Sequence, residues 1–256
     1  MNKKMKKIKY LFIALLMVGF AACEYDNYDP PSITVSGKLV TADGKNFLYE
    51  GSKGLLTAIQ KGFGKEDGGT SFYVDHNGNY TQLLFAGEYW LTLQNNVYPF
   101  EFKDFQPLAA GGYDSIRIDL KSNYEKNFEV IPYYTFSDFT AAVEGSNVVL
   151  TAKIHKTKET TRIEVPRTVF ARGYLSTTQI VNGATPCVRS TRAVISAETG
   201  EIKVSVPLTG TGASYREVYK NNFRDYAYCR VSIEVDGISE YYLFSDIIKI
   251  EGLPVK

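Results

Sequence analysis

Ser71-Phe72-Tyr73-Val74-Asp75-His76-Asn77-Gly78-Asn79-Tyr80-Thr81-Gln82-Leu83-Leu84-Phe85-Ala86-Gly87-Glu88-Tyr89-Trp90-Leu91-Thr92-Leu93 is the passage that decides the fold. It reads as three short strands, Ser71–Val74, Tyr80–Phe85 and Tyr89–Leu93, separated by two chain reversals. Aromatic and β-branched side chains suit a pleated, half-buried surface, and turn residues bound each run. Asn77 and Gly78 accept the positive φ of a tight hairpin turn, and Ala86 with Gly87 makes the second reversal.

The same period of two begins upstream. Ile33, Val35, Gly37 and Leu39 alternate with Thr34, Ser36 and Lys38 as a half-buried strand, and Asp43-Gly44 turns the chain. Leu55 to Gln60 is a further strand, followed by a loop rich in glycine, Gly62 to Gly69. Downstream, strands are expected at Asn147–Ile154, Thr168–Leu175, Arg192–Ser196, Ile202–Pro207, Tyr226–Val235 and Glu240–Ile250. In one of them Val231, Ile233 and Val235 alternate with Arg230, Ser232 and Glu234, and Asp236-Gly237 marks a hairpin. Six or seven such strands predict an immunoglobulin-like or fibronectin-like sandwich over residues 130–256. Tyr226 and Tyr228 are its candidate tyrosine corners, each one residue out of place relative to Cys229. Tyr133, Tyr134, Phe136 and Phe139 cluster at the start of this second domain, a pattern that suits docking of one domain on the other better than ligand contact.

Residues 1–22 read as a secretory signal. Lys3, Lys4, Lys6, Lys7 and Lys9 precede an apolar run, Tyr10 to Phe20, of eleven residues, too short for a spanning helix, which needs about 20. Phe20-Ala21-Ala22-Cys23 closes it. This ending resembles the bacterial lipobox, with Phe20 in place of the usual Leu, and the resemblance implies that Cys23 becomes the lipidated first residue of the mature chain. Two or more acyl chains anchor a protein stably where one does not. Residues 23–32 then form an acidic tether ended by Pro30 and Pro31. Acids close behind a lipidated Cys resemble the export signal of Bacteroidetes surface lipoproteins, which implies an outer-membrane, cell-surface location.

Residues 33–129 resemble the carboxypeptidase regulatory-like domain, a transthyretin-like sandwich. The match rests on Ser36 to Val40, the Asp75 to Tyr80 turn and Ala86 to Tyr89, over about 90 residues. Such modules bind or space without catalysis. Joined with the tether and with Ile131-Pro132-Tyr133-Tyr134, the chain is similar to a Bacteroidetes family of two-domain lipoproteins of unknown function. That family is often encoded beside SusC-like and SusD-like glycan importers, which implies a role in glycan capture by association alone.

Loss of residues 1–22 removes five lysines and no acid, leaving 24 basic against 28 acidic residues. That weak acidity excludes a nucleic-acid partner, which calls for clustered positive charge. The mature body holds two thiols, Cys187 and Cys229. An exported chain meets an oxidising compartment, where a bridge between them would contribute roughly 4 kcal/mol, but spacing leaves two buried thiols equally open. His76 and His155 are the only histidines, and neither sits in a zinc or hydrolase motif. Asp75, Asn77 and Asn79 suit a hairpin turn better than a calcium loop, because Gly78 is out of place and no Glu closes it. No cofactor, metal or catalytic residue is expected.

Two functions remain. One is a glycan-binding or importer-accessory lipoprotein, whose candidate platforms are Trp90, turned off the core face by alternation between Tyr89 and Leu91 and there either exposed to a ligand or, at least as readily, covered by the second domain, and Tyr98 with Phe100 in the loop that follows. The other is a structural or adhesive subunit, fimbrial or spacer, that binds a protein partner through an exposed strand edge.

Overall fold

A computed structural model describes residues 29–254 apart from 52, 63–68, 96, 159–163, 184–186, 197–198, 221 and 239. The signal segment and Cys23 lie outside the described residues. The chain divides into two units, Met1–Ser32 and Ile33–Lys256.

The first part of the larger unit carries β1 (Ile33–Val40), β2 (Gly54–Gln60), β3 (Thr70–Tyr73), β4 (Asn79–Leu84), β5 (Gly87–Leu93), β6 (Phe100–Phe102), β7 (Ile116–Leu120), β8 (Tyr124–Glu125) and β9 (Phe128–Pro132). They form two sheets, β4-β1-β9-β6 with β8 also on β1, and β3-β2-β5-β7. Alternation decides the inner faces: Val35 and Leu39 from β1 and Tyr89 and Leu91 from β5 are buried, as the period predicts. β1 runs parallel to β8 and β9 and antiparallel to β4.

The deciding passage folds differently from a meander. β3 pairs with β2 in one sheet and β4 with β1 in the other, so the Asp75–Gly78 turn is a corner between sheets. A single bridge, Val74 to Tyr80, is all that remains of the expected hairpin. Asp75 builds the corner by accepting bonds from the backbone N–H groups of Asn77 (2.9 Å) and Asn79 (2.8 Å) and the Asn79 amide (3.0 Å). Gly78 takes φ of 80° where a Cβ would meet the Phe47 carbonyl oxygen at 2.4 Å. Past the corner Phe72 and Tyr80 face each other across the sandwich at 5.9 Å.

The second part carries β10 (Tyr134–Glu144), β11 (Asn147–Lys156), β12 (Thr168–Ser176), β13 (Val188–Arg189), β14 (Ala193–Val194), β15 (Glu201–Pro207), the short helix α1 (Tyr215–Val218), β16 (Tyr226–Val235), β17 (Tyr242–Phe244) and β18 (Ile248–Glu251). One sheet runs β10-β11-β15; the other runs β13-β12-β16-β17, with β14 on β12 and β18 on β16. The chain thus crosses between sheets after β11, β14 and β15, as in immunoglobulin-like sandwiches. The Asp236-Gly237 turn joins β16 to β17 as expected. Tyr226 and Tyr228 are half-buried with their rings 6.0 Å apart, and the buried Tyr215 of α1 donates to the Tyr226 carbonyl at 3.2 Å.

Only Tyr133, fully buried, separates β9 from β10. β9 spans the expected boundary at Val130 and belongs to the first sandwich. One contiguous apolar cluster then runs from Ile33 to Leu253 through both sandwiches. Tyr98 and Tyr241 meet across the seam at 5.0 Å. Arg230 straps it: Nε donates to Ser245 O (3.0 Å), and Nη1 donates to Tyr49 O (3.2 Å) and Val181 O (3.1 Å). Its guanidinium lies 4.2 Å from the Phe244 ring centroid. Desolvation pulls its pKa down to about 9, which still leaves it charged at neutral pH. Beside it, Asn182 donates to the Glu50 carbonyl, and the buried Glu50 carboxylate sits 3.5 Å from Lys53 Nζ.

Candidate functional site

At the seam a cleft of about 430 Å³ opens between the two sandwiches. The β1–β2 connection supplies one wall and the turn from β17 to β18 the other, because both connections leave their sheets at the end where the sandwiches meet. Phe47, Ile131, Pro132, Phe136 and Phe244 give it an apolar floor; Thr41, Asp43, Lys45, Asn46, Thr135 and Asp246 give it a polar rim.

The rim is ordered by its own bonds. Thr41 Oγ1 donates to Asp43 Oδ1 at 2.6 Å, and Lys45 Nζ lies 2.8 Å from Asp43 Oδ2. The bonds from Lys45 and Thr41 hold the Asp43 carboxyl at about 2, well below the usual carboxylate range. Asp43 in turn raises the Lys45 pKa, with a smaller attraction from Asp246. On the floor side, Thr157 Oγ1 is buried with no hydrogen-bond partner. A ring with hydroxyls at its edge fits this combination: apolar side chains for its C–H face, carboxylates and hydroxyls for its O–H groups.

Among the residues expected to bind, Trp90 stands where alternation puts it. It is 37% exposed on the outer face of β5, between Ile59 of β2 and Arg117 of β7. Glu88, one step along that face, pairs with Arg117 (3.0 Å) and Lys61 (3.3 Å). Tyr98 and Phe100 are corrections. Both are 0% exposed, stacked on each other at 5.3 Å inside the first sandwich, and present no face to a ligand. Phe100 begins a three-residue strand, and the Tyr98 hydroxyl is occupied by Asn95 N–H at 2.8 Å and Leu55 O at 3.4 Å.

Cys187 and Cys229 form no disulfide. Cys229 points into the main core from β16, whereas Cys187 packs with Tyr174, Val181 and Phe244 on the opposite face of that sheet. Burial pushes the Cys229 thiol up to about 12, so it stays protonated. Tyr133 and Tyr134 are buried at the seam, and Phe136 and Phe139 are half-buried against the core.

His155 Nε2 lies 2.7 Å from Ser137 Oγ, but the Asp138 carboxylate accepts from the serine (3.3 Å). A hydrolase triad has the carboxylate on the imidazole instead. Among the described residues no cluster of three or more His, Cys, Asp or Glu is placed to hold a metal, and no helix is long and apolar enough to cross a membrane, which says nothing of a β-barrel. The cleft residues Phe47, Lys45, Thr157, Phe244 and Asp246 escaped the sequence reading; only the Asp43-Gly44 turn signalled that wall.

Fold and cleft together define an all-β protein of two fused sandwiches with a concave seam. Residues 33–131 match the N-terminal domain of the family described as protein of unknown function DUF3823. A DUF3823 family protein from Parabacteroides merdae is similar in structure, at 22% identity and a TM-score of 0.62, over 87% of this chain and 100% of that one. One from Bacteroides ovatus follows at 20% and 0.58, over 88% and 100%. A Bacteroides uniformis structure named "putative carbohydrate binding protein" aligns at 15% and 0.59, over 87% and 100%. No curated protein matches the sequence.

Proposed function

We propose that this chain is a non-catalytic lipoprotein, anchored in the outer membrane through Cys23, that binds glycan at the seam cleft and serves a SusC/SusD-like importer. The observation that carries the reading is the cleft itself: aromatic and aliphatic floor, hydroxyl and carboxylate rim, and a volume of about 430 Å³ that lies within the ordinary range of small-ligand sites. The name of the Bacteroides uniformis structure supports the same ligand class. The lipobox ending at Cys23 and the acidic tether support the address.

A glycan array probed with the full-length protein in detergent tests the ligand class. Retention on at least one glycan, weakened about tenfold or more by Phe136→Ala with the fold intact, is expected. Binding to no glycan ends this reading and turns attention to a protein partner. Cys23→Ser tests the address separately, since the variant should lose palmitate labelling and leave the membrane fraction.

Trp90 is an accessory platform in this reading, because an exposed indole flanked by Arg117 and Glu88 suits sugar stacking. Trp90→Ala should then lower retention on long chains more than on short ones.

A further inference from the structure

Resting on the glycan reading above, we infer that the cleft selects neutral glycans and turns away anionic ones such as uronates and sulfated chains. The charged side chains that line it, among the described residues, are Asp43, Lys45 and Asp246. Two are carboxylates, and the one cation is engaged by Asp43 at 2.8 Å. An acidic sugar entering the cleft meets two exposed like charges and no exposed cation that is uncommitted. Within a Debye length, about 8 Å at physiological salt, that repulsion is not screened away.

Arg230 attracts Asp246 and so offsets part of its charge, but it does so from behind the wall and offers no exposed donor, its Nη2 included. It is 0% exposed and lies behind the Phe244 ring, and its Nε and Nη1 are spent on the carbonyls of Ser245, Tyr49 and Val181. Its charge supports the wall; it cannot reach a ligand carboxylate. Neutral hydroxyls, by contrast, find exposed acceptors in the Asp43 and Asp246 carboxylates. Carboxylate-to-hydroxyl bonds are charge-assisted and stronger than neutral ones, so the same acids that repel anions hold neutral sugars.

The test compares laminarin, mannan and dextran with polygalacturonate and chondroitin sulfate, each immobilised, using the full-length chain in detergent at about 0.15 M salt. At least one neutral probe should be retained, and both anionic probes about tenfold more weakly or not at all. Asp43→Asn with Asp246→Asn frees Lys45 and removes both acids. That double variant should gain about fivefold or more on polygalacturonate and lose on the neutral probe. Asp246→Asn alone should show a smaller shift of the same sign, so the prediction survives if the double variant folds poorly. Anionic probes held as tightly as neutral ones by the parent, or unmoved by either variant, overturn the selectivity while leaving glycan binding standing. Retention of none of the five overturns the glycan reading and this inference with it.

Discussion

The two sandwiches fill the same kind of gap with different materials. In the first, rings touch in sequence from Phe47 to Phe100 (4.8 Å), Phe102 (5.2 Å), Phe105 (5.5 Å), Phe128 (5.5 Å), Tyr80 (5.8 Å) and Phe72 (5.9 Å). In the second, Val148, Leu150, Ala152, Ile202, Val204, Val206, Val231 and Ile233 make an aliphatic interior. The strands explain the choice. β6 has three residues and β3 four, so few positions face inward and each must bury much area, which rings do at about 150–250 Å² apiece. β10, β11 and β16 have ten or eleven, and many small β-branched contacts do the same work.

Stability should therefore be concentrated in the first sandwich and spread in the second. Phe100→Ala, which removes a ring that touches Phe47, Tyr98 and Phe102, should cost about 3–5 kcal/mol in urea unfolding. Arg230→Ala should cost about 3 kcal/mol by orphaning carbonyls on both sides of the seam, and hydrogen exchange should rise together in residues 47–51 and 243–246. If exchange rises on one side only, the strap does not couple the sandwiches. Ile233→Val, one methylene among many aliphatic contacts, should cost only about 0.5–1.5 kcal/mol. A loss as large as that of Phe100→Ala would remove the contrast.

The smallest effect is on the rim. Asp43 titrates at about 2 in the folded chain against an ordinary 3.8, so the unfolded chain binds more protons between those values. Its contribution is fully present above about pH 4 and fades as pH falls through about 2. Asp43→Asn should flatten stability against pH in that window and change neutral-pH stability little, since the group is exposed and its ion pair is screened by solvent.

Much of this was legible in the sequence where one face meets the core and the other meets water. β1 alternates cleanly, and Trp90 turned outward as its neighbours required. β16 shows where the rule fails. Arg230 and Ser232 occupy the polar phase of its alternation, yet both are buried, because Tyr49 of the first sandwich and Val181 bond Arg230 and Tyr174 bonds Ser232 on that face. Periodicity reports chemistry, and it cannot tell water from a second domain. Phe100 was missed as core for a related reason: three residues after Pro99 are too few to display a period. The cleft was hidden because its walls, 41–48 and 243–246, are joined only by the fold. The corner at Asp75–Gly78 had hairpin residues, and what sent its strands to different sheets was the demand of Phe72 and Tyr80 for the same interior.

The splice at Tyr133 has a mechanical consequence. With one buried residue between β9 and β10, the body has no slack linker to absorb a tug. A force applied to either sandwich would load Arg230 and the Tyr98–Tyr241 contact at once, so the two would yield as a single lever rather than swing apart like a gate.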